Sequence, residues 1–482
     1  MGDYRPISLI GSMYKVITKI LATRLFVVIS DLISDVQTTF LPNRQIPDGP
    51  FIINELLARC HHKKQRAMVF KVDFAKAYGS IRWDYLEDVL HSFGFGSKWR
   101  SWIRGCLNSG MASILVNGSL ASEFQFHRGL KQGYPLAPYL FILVMESLHL
   151  SVTRVIEAGI FTGVRIDPST MISHLFYADD VVFIGEWSQD NLKGIMHSLR
   201  CFSLLSGLSI NIKKSHLLGV GIPASYVNEV ASSIGCSVMK APFKYLGVMV
   251  DGNESLVKAW DDTINKLKMR LSKWKLKTLS IGGRLTLLKS VRLPPPIYNM
   301  SLYKVPKTVL NSMEAIRRNF FNGVSSFYAL NRALLVKWVW RFLSRDNSLW
   351  ARIIHAIHGL NGQELSASHS STWSSIVKEI NILKTQGIDI ISHCKIRVGN
   401  GRSTSFWNDL WIGDSCFRYK FPRLYALDIN KECTVADKMV ASFTSSFRRE
   451  VRGGAESLQL TQILDLLGTV ILSNMEDRWE LD

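Results

Sequence analysis

The stretch His174-Leu175-Phe176-Tyr177-Ala178-Asp179-Asp180-Val181-Val182-Phe183-Ile184 sets two adjacent carboxylates between two apolar runs. Aromatic and β-branched residues on either side of a short polar pair predict two strands joined by a tight turn, with the acids at its tip. Alone, an Asp pair on a turn is no more than a solvated β-turn, because Asp side chains bond nearby backbone. A further acid well upstream changes that reading: Asp73 ends another strand-like run, Val69-Phe70-Lys71-Val72. If the two elements pair, three carboxylates converge. Like charges that close repel unless divalent cations neutralise them, which is the design of a two-metal site for phosphoryl transfer. Two oxygen-seeking Mg2+ ions are the expected cofactors, with Mn2+ as a substitute.

The rest of the chain fits a polyanion as partner. Its 482 residues, 47% hydrophobic, are enough for several domains with real cores. Lys and Arg number 58 against 39 Asp and Glu, a net charge of +19, and 11% of residues are aromatic. Residues 255–345 hold 18 Lys and Arg against 3 acids, so +15 of the charge lies in that one region. The seven cysteines are scattered, with no C-x2-C pair, which predicts neither a disulfide framework nor a disulfide-linked partner. His61-His62 beside Cys60 lacks a second ligand pair. No signal peptide is evident and no run approaches the roughly 18 apolar residues of a membrane span. The expectation is a soluble, intracellular protein with no membrane partner, in nucleus or cytoplasm.

Five strings then occur in a telling order: KVDFAKAY (71–78), GLKQGYPLAPYLFILVMESL (129–148), FYADD (176–180), GLSINIKKS (207–215) and YLG (245–247). Together they resemble the palm motifs of the reverse transcriptase of plant LINE-type (non-LTR) retrotransposons. The resemblance runs from Tyr4 to at least Trp350, and more weakly to about residue 440. It implies an α+β right-hand polymerase: truncated fingers over 1–60, a palm with an antiparallel sheet over 61–250, a basic helical thumb over 251–323, and a small α+β connector over 324–482. The implied activity is RNA-directed DNA polymerisation, with an RNA template, a DNA primer and deoxynucleoside triphosphates as partners.

Residue by residue, the resemblance makes Asp73, Asp179 and Asp180 the metal-binding carboxylates and Lys214 a general acid toward the pyrophosphate leaving group. It places Arg5, Arg44, Phe74, Tyr78, Gln132 and Gly133 around the nucleotide, with the Tyr78 ring as a steric gate that leaves no room for a 2'-hydroxyl. Tyr245, Leu246 and Gly247 match the primer grip. Two positions depart from the family: Gly79 and Tyr134 stand where an Asp is usual.

Helical spacing adds local expectations. Met13, Val16, Ile17, Ile20 and Leu21 form the apolar stripe of an N-terminal helix, with Lys15, Lys19 and Arg24 off it, and residues 37–49 read as a loop. Trp83, Leu86, Val89 and Leu90 predict a palm helix, and Pro138 opens a long apolar one. Trp260, Ile264, Leu267, Leu271 and Trp274 form a stripe surrounded by lysines, one face for packing and the others for phosphate. The strings at 397–413 read as short strands around a Gly-rich turn. The chain is expected to be part of a longer polyprotein with an internal deletion near residue 324, lacking the endonuclease and zinc-binding segments of the family. The alternatives are a catalytically silent nucleic-acid-binding remnant and an RNA-dependent RNA polymerase; Tyr78 at the gate argues against the second.

Overall fold

The computed structural model describes residues 11–42, 44–271, 280, 294–320, 326–344, 348–359, 369–389, 393–440 and 442–481. Arg5 and Trp274 lie outside them. The chain divides into two compact units: the first runs through Ala259 and regains a short segment ending at Ile357, and the second holds the rest.

In the first unit, helices α1 (Ser12–Leu32) and α2 (Asp48–Lys63) lead to strand β1 (Ala67–Val72). Helices α3 (Trp83–Ser92), α4 (Ser97–Asn108) and α5 (Ala137–Glu157) follow, then strands β2 (His174–Tyr177) and β3 (Asp180–Glu186). Helix α6 (Gln189–Ser206), strand β4 (His216–Val220), helix α7 (Ala224–Ile234) and the short strand β5 (Ser237–Val238) complete a five-stranded sheet in the order β5-β4-β1-β3-β2. All neighbours are antiparallel except β4 and β5. A separate hairpin, β6 (Phe243–Tyr245) and β7 (Val248–Val250), closes the unit.

The local chemistry explains these boundaries. Ser188 accepts the N–H of Asn191 to cap α6, and Gly207 at φ 80° ends it. Pro138 sits in the first turn of α5, where no intrahelical donor is lost. By length and composition α5 could cross a membrane, contrary to the expectation that no run would. It is instead the central core helix: residues 140–145, Leu148 and Val152 are fully enclosed by α1, α3, α6 and the sheet.

Helix α1 also corrects the sequence reading. Thr18, Leu21, Ala22, Leu25 and Ile29 form its buried face, whereas Met13, Val16, Ile17 and Ile20 are exposed. The helix is apolar on more than one side, so its periodicity admits two stripes, and packing on α5 selects one. A segment from far along the chain finishes this unit. Helix α12 (Leu349–His358) buries Trp350, Ala351, Ile353 and Ile354, sets Trp350 edge-on to Phe51 at 5.5 Å, and pairs Arg352 with Asp35.

The second unit begins with α8 (Asp261–Arg270), where Trp260, Leu267 and Leu271 are buried as the stripe requires. Helices α9 (Pro294–Met300) and α10 (Lys307–Phe320) pack on it, α11 (Phe327–Leu343) packs on those two, and α13 (Thr372–Thr385) packs on α11. Buried Asn331 ties them: it donates to the carbonyls of Met300 and Tyr303 and accepts the N–H of Val305. The C-terminal part gathers Phe406, Trp407, Phe417 and Phe421 into an aromatic core. Of the stretch 397–413 expected as short strands, only Arg397 lies in a strand, Cys394–Arg397, which pairs with Arg478–Leu481. The Gly-rich turn beyond it is instead knotted by Asp477, whose carboxylate accepts the N–H groups of Gly399, Gly401 and Ser403.

Candidate active site

Register places the acids. β1 and β3 pair antiparallel with Val72 opposite Val181, so one step further Asp73 stands opposite Asp180. β2 and β3 close with Tyr177 opposite Asp180, leaving Ala178 and Asp179 as the turn. Asp73, Asp179 and Asp180 thus meet at one end of the sheet, all half-buried.

Each acid is held by its neighbours. The backbone of Asp73 is clamped by the 207–215 motif: its carbonyl accepts the N–H of Asn211 at 2.7 Å and its N–H donates to Ser215 Oγ at 3.2 Å. Ser215 is fully buried and donates to the Asn211 carbonyl, so the clamp is closed. The turn is held from the other side. Residues 36–38 run along the outer edge of β2, and Gln37 Oε1 accepts the N–H of Ala178 at 3.1 Å. Ala178 needs that support, because its φ of 51° is left-handed for a non-glycine. Lys71 Nζ lies 3.8 Å from Asp180 Oδ1.

Around them, Tyr78 stacks on Phe141 of α5 with centroids 4.5 Å apart and planes 14° from parallel. Its carbonyl accepts the N–H of Leu130, which docks the 129–133 loop onto the turn after β1. Gly129 makes that approach possible: its φ is 82°, and a Cβ there would lie 2.6 Å from the Gly79 carbonyl oxygen. Gln132 is half-buried beyond it and Gly133, at φ 101°, is exposed. Lys214 is exposed at the end of a 3-10 turn, and its N–H donates to the Asn211 side chain that caps the turn.

The other expected site residues make contacts of their own. Phe74 is buried in the core, edge-on to Phe202 at 6.4 Å, because strand alternation turns it away from the face that carries Asp73. Arg44 reaches back to the carbonyl of Ile33, at the end of α1. The 245–247 stretch is the tip of the β6–β7 hairpin, with Leu246 at φ 46° and Gly247 at φ 87°, both positive as a type I′ turn requires. Tyr245 itself is buried, packed where a Cβ on Gly49 would come within 3.4 Å of its ring. His61 pairs with Asp251 at 3.1 Å, and burial pushes the Cys60 thiol up to about 11.

The two departures find their place. A Cβ at Gly79 would meet nothing within 4 Å, so the missing acid leaves open space. The Tyr134 ring packs edge-on to Tyr14 at 5.7 Å and, with Phe126, surrounds Lys131. Burial lowers the Lys131 ammonium pKa and raises that of the Tyr134 phenol.

The donor set of three carboxylates fits a hard divalent cation, since it offers only oxygen and carries excess negative charge. Sequence reasoning found those acids but missed Gln37 and the Ser215 clamp. Gln37 lies in a loop with no motif of its own, and a buried serine carries no sequence signal.

Residues 1–250 match the family model described as reverse transcriptase (RNA-dependent DNA polymerase). The chain is 28% identical over 286 residues to the transposon TX1 uncharacterized 149 kDa protein of Xenopus laevis, covering 58% of this chain and 21% of that protein. It is 26% identical over 328 residues to the retrovirus-related Pol polyprotein from type-2 retrotransposable element R2DM of Drosophila melanogaster, covering 66% of this chain and 30% of that protein. The chain therefore spans under a third of the length of these relatives. Among solved structures, telomerase from Candida albicans in complex with a fragment of telomeric RNA aligns with 79% of this chain and 56% of its own, at 11% identity and a TM-score of 0.39. With the family model covering more than half of its length, and an α+β fold whose sheet gathers the three aspartates, this chain belongs to the reverse transcriptase family.

Proposed function

We propose that the chain is an RNA-directed DNA polymerase of the non-LTR retrotransposon type, adding deoxynucleotides to a primer 3'-hydroxyl on an RNA template. The observation that carries this reading is the register that sets Asp73 opposite Asp180 at the Asp179 turn. Asp73 and Asp179 would hold two Mg2+ ions, with Asp180 assisting. When bound, the metal supplies a more acidic 3'-hydroxyl and neutralises charge on the leaving pyrophosphate.

The chain's own residues do the positioning. Tyr78, braced flat by Phe141, forms the floor that excludes a 2'-hydroxyl. Gln132 and Gly133 border the nucleotide, Lys214 offers a proton or a charge to the pyrophosphate, and the hairpin at 245–247 holds the primer end. The arginine and lysine excess of the basic region holds phosphates without reading sequence. Thumb and connector roles for residues 251–323 and 324–482 belong to the same reading, as do Arg5 and Arg44 near the triphosphate.

The test is extension of a DNA primer on an RNA template by the full chain with Mg2+, supplied with deoxynucleotides or ribonucleotides. Deoxynucleotides are expected to be incorporated selectively, and Tyr78→Ala to relax that selectivity by about tenfold or more. Preferred ribonucleotide incorporation would point to an RNA polymerase. A folded chain that binds RNA and incorporates nothing would favour a silent remnant, the reading suggested by Gly79 and Tyr134.

A further inference from the structure

β1 is buried along its whole length except at Lys71, which shares a face with Asp73 by strand alternation. A half-buried lysine in such a run calls for a partner. Its Nζ lies 3.8 Å from Asp180 Oδ1 and 5.8 Å from the centroid of the Tyr245 ring. That ring is buried against Gly49 of α2, and it begins the hairpin turn at Leu246 and Gly247. One ammonium therefore reaches both the carboxylate turn and the hairpin beside it.

We propose that Lys71 is a positioning residue that fixes the charge of the aspartate cluster and ties it to the 245–247 hairpin. The proposal rests on the polymerase reading. Three carboxylates at one sheet end carry three negative charges, and a lysine beside Asp180 offsets one of them. It also competes with a divalent cation for Asp180, leaving Asp73 and Asp179 as the principal ligands. Its contact with the Tyr245 face, of the cation–π kind, holds the hairpin in register with the acids.

The test uses the full chain and the variants Lys71→Met, Lys71→Gln and Lys71→Arg. Mn2+ binding is measured by the paramagnetic resonance of free ion, without nucleic acid, and the primer KM is measured in extension. Removing the ammonium is expected to tighten Mn2+ binding about fivefold, as one nearby charge is lost. The primer KM is expected to rise several-fold, with Lys71→Arg close to wild type in both. Wild-type Mn2+ affinity and primer KM in a folded Lys71→Met or Lys71→Gln protein would overturn the role of Lys71 alone. A wild-type chain that neither binds Mn2+ nor extends a primer would remove the polymerase reading, and the role of Lys71 with it.

Discussion

Gln37 Oε1 accepts the N–H of Ala178 at 3.1 Å, so a side chain from the loop after α1 supports the backbone of the turn that carries Asp179. Both groups are buried, and loss of the acceptor would leave an unsatisfied donor where water does not reach. Gln37→Ala is expected to cost about 1–3 kcal/mol in urea unfolding and to lower primer extension about tenfold. Extension at the wild-type rate would show that the turn holds its shape without Gln37.

The contact of Gly129 with Gly79 gives an asymmetric pair of substitutions. Gly129→Ala adds a methyl group 2.6 Å from a carbonyl oxygen at a positive φ, and is expected to destabilise by about 1–3 kcal/mol. Gly79→Asp adds its Cβ into open space and is expected to stay within about 0.5 kcal/mol of wild type. Denaturant unfolding of both proteins measures the contrast. Equal effects would contradict the docking of the 129–133 loop.

Tyr134 is expected to tolerate loss of its hydroxyl better than loss of its ring. The ring encloses Lys131 together with Tyr14 and Phe126, so Tyr134→Phe keeps the enclosure while Tyr134→Asp removes it. Thermal unfolding should place Tyr134→Phe within about 1 kcal/mol of wild type and Tyr134→Asp about 2–4 kcal/mol below it. A Tyr134→Asp protein as stable as wild type would mean that the acid usual in the family pairs with Lys131 at no cost.

How much of this was legible in the sequence depended on whether one residue type carried the signal. The acid pair between apolar runs predicted its hairpin, and the Trp260 stripe predicted its buried face. Pairing across the sheet turned Asp73 toward them and Phe74 away, which alternation could have told once β1 was fixed. The face of α1 was not legible, because apolar residues occupy more than one side of the helix and only contact with α5 decides. The return of α12 was not legible either: a contact between Phe51 and Trp350 leaves no local pattern.

Glu146 offers a pH signature. Burial pushes its carboxyl up to about 7, against hydrogen bonds from the Ser34 N–H and hydroxyl that favour the anion. The folded chain then binds the proton more tightly than the unfolded chain, whose Glu titrates near its ordinary value. The stability this contributes is fully present below about pH 4.5 and is lost as pH rises to about 7, a span of a few kcal/mol. Buried His174, held down to about 3, acts with the opposite sign: its contribution is lost as pH falls from about 6.5. The difference in unfolding free energy between wild type and Glu146→Gln isolates the first effect, and should shift toward the variant across that range. A difference constant with pH would contradict it.

The most direct measurement compares wild type with Asp73→Asn and Asp179→Ala in primer extension on an RNA template with deoxynucleotides and Mg2+, each protein first shown to be folded and to bind RNA. The account predicts extension by wild type and a loss of about a thousandfold or more in both variants, the scale of removing a metal ligand that stabilises transition-state charge. Extension that survives either substitution would contradict the assignment of the site where Asp73 faces Asp180.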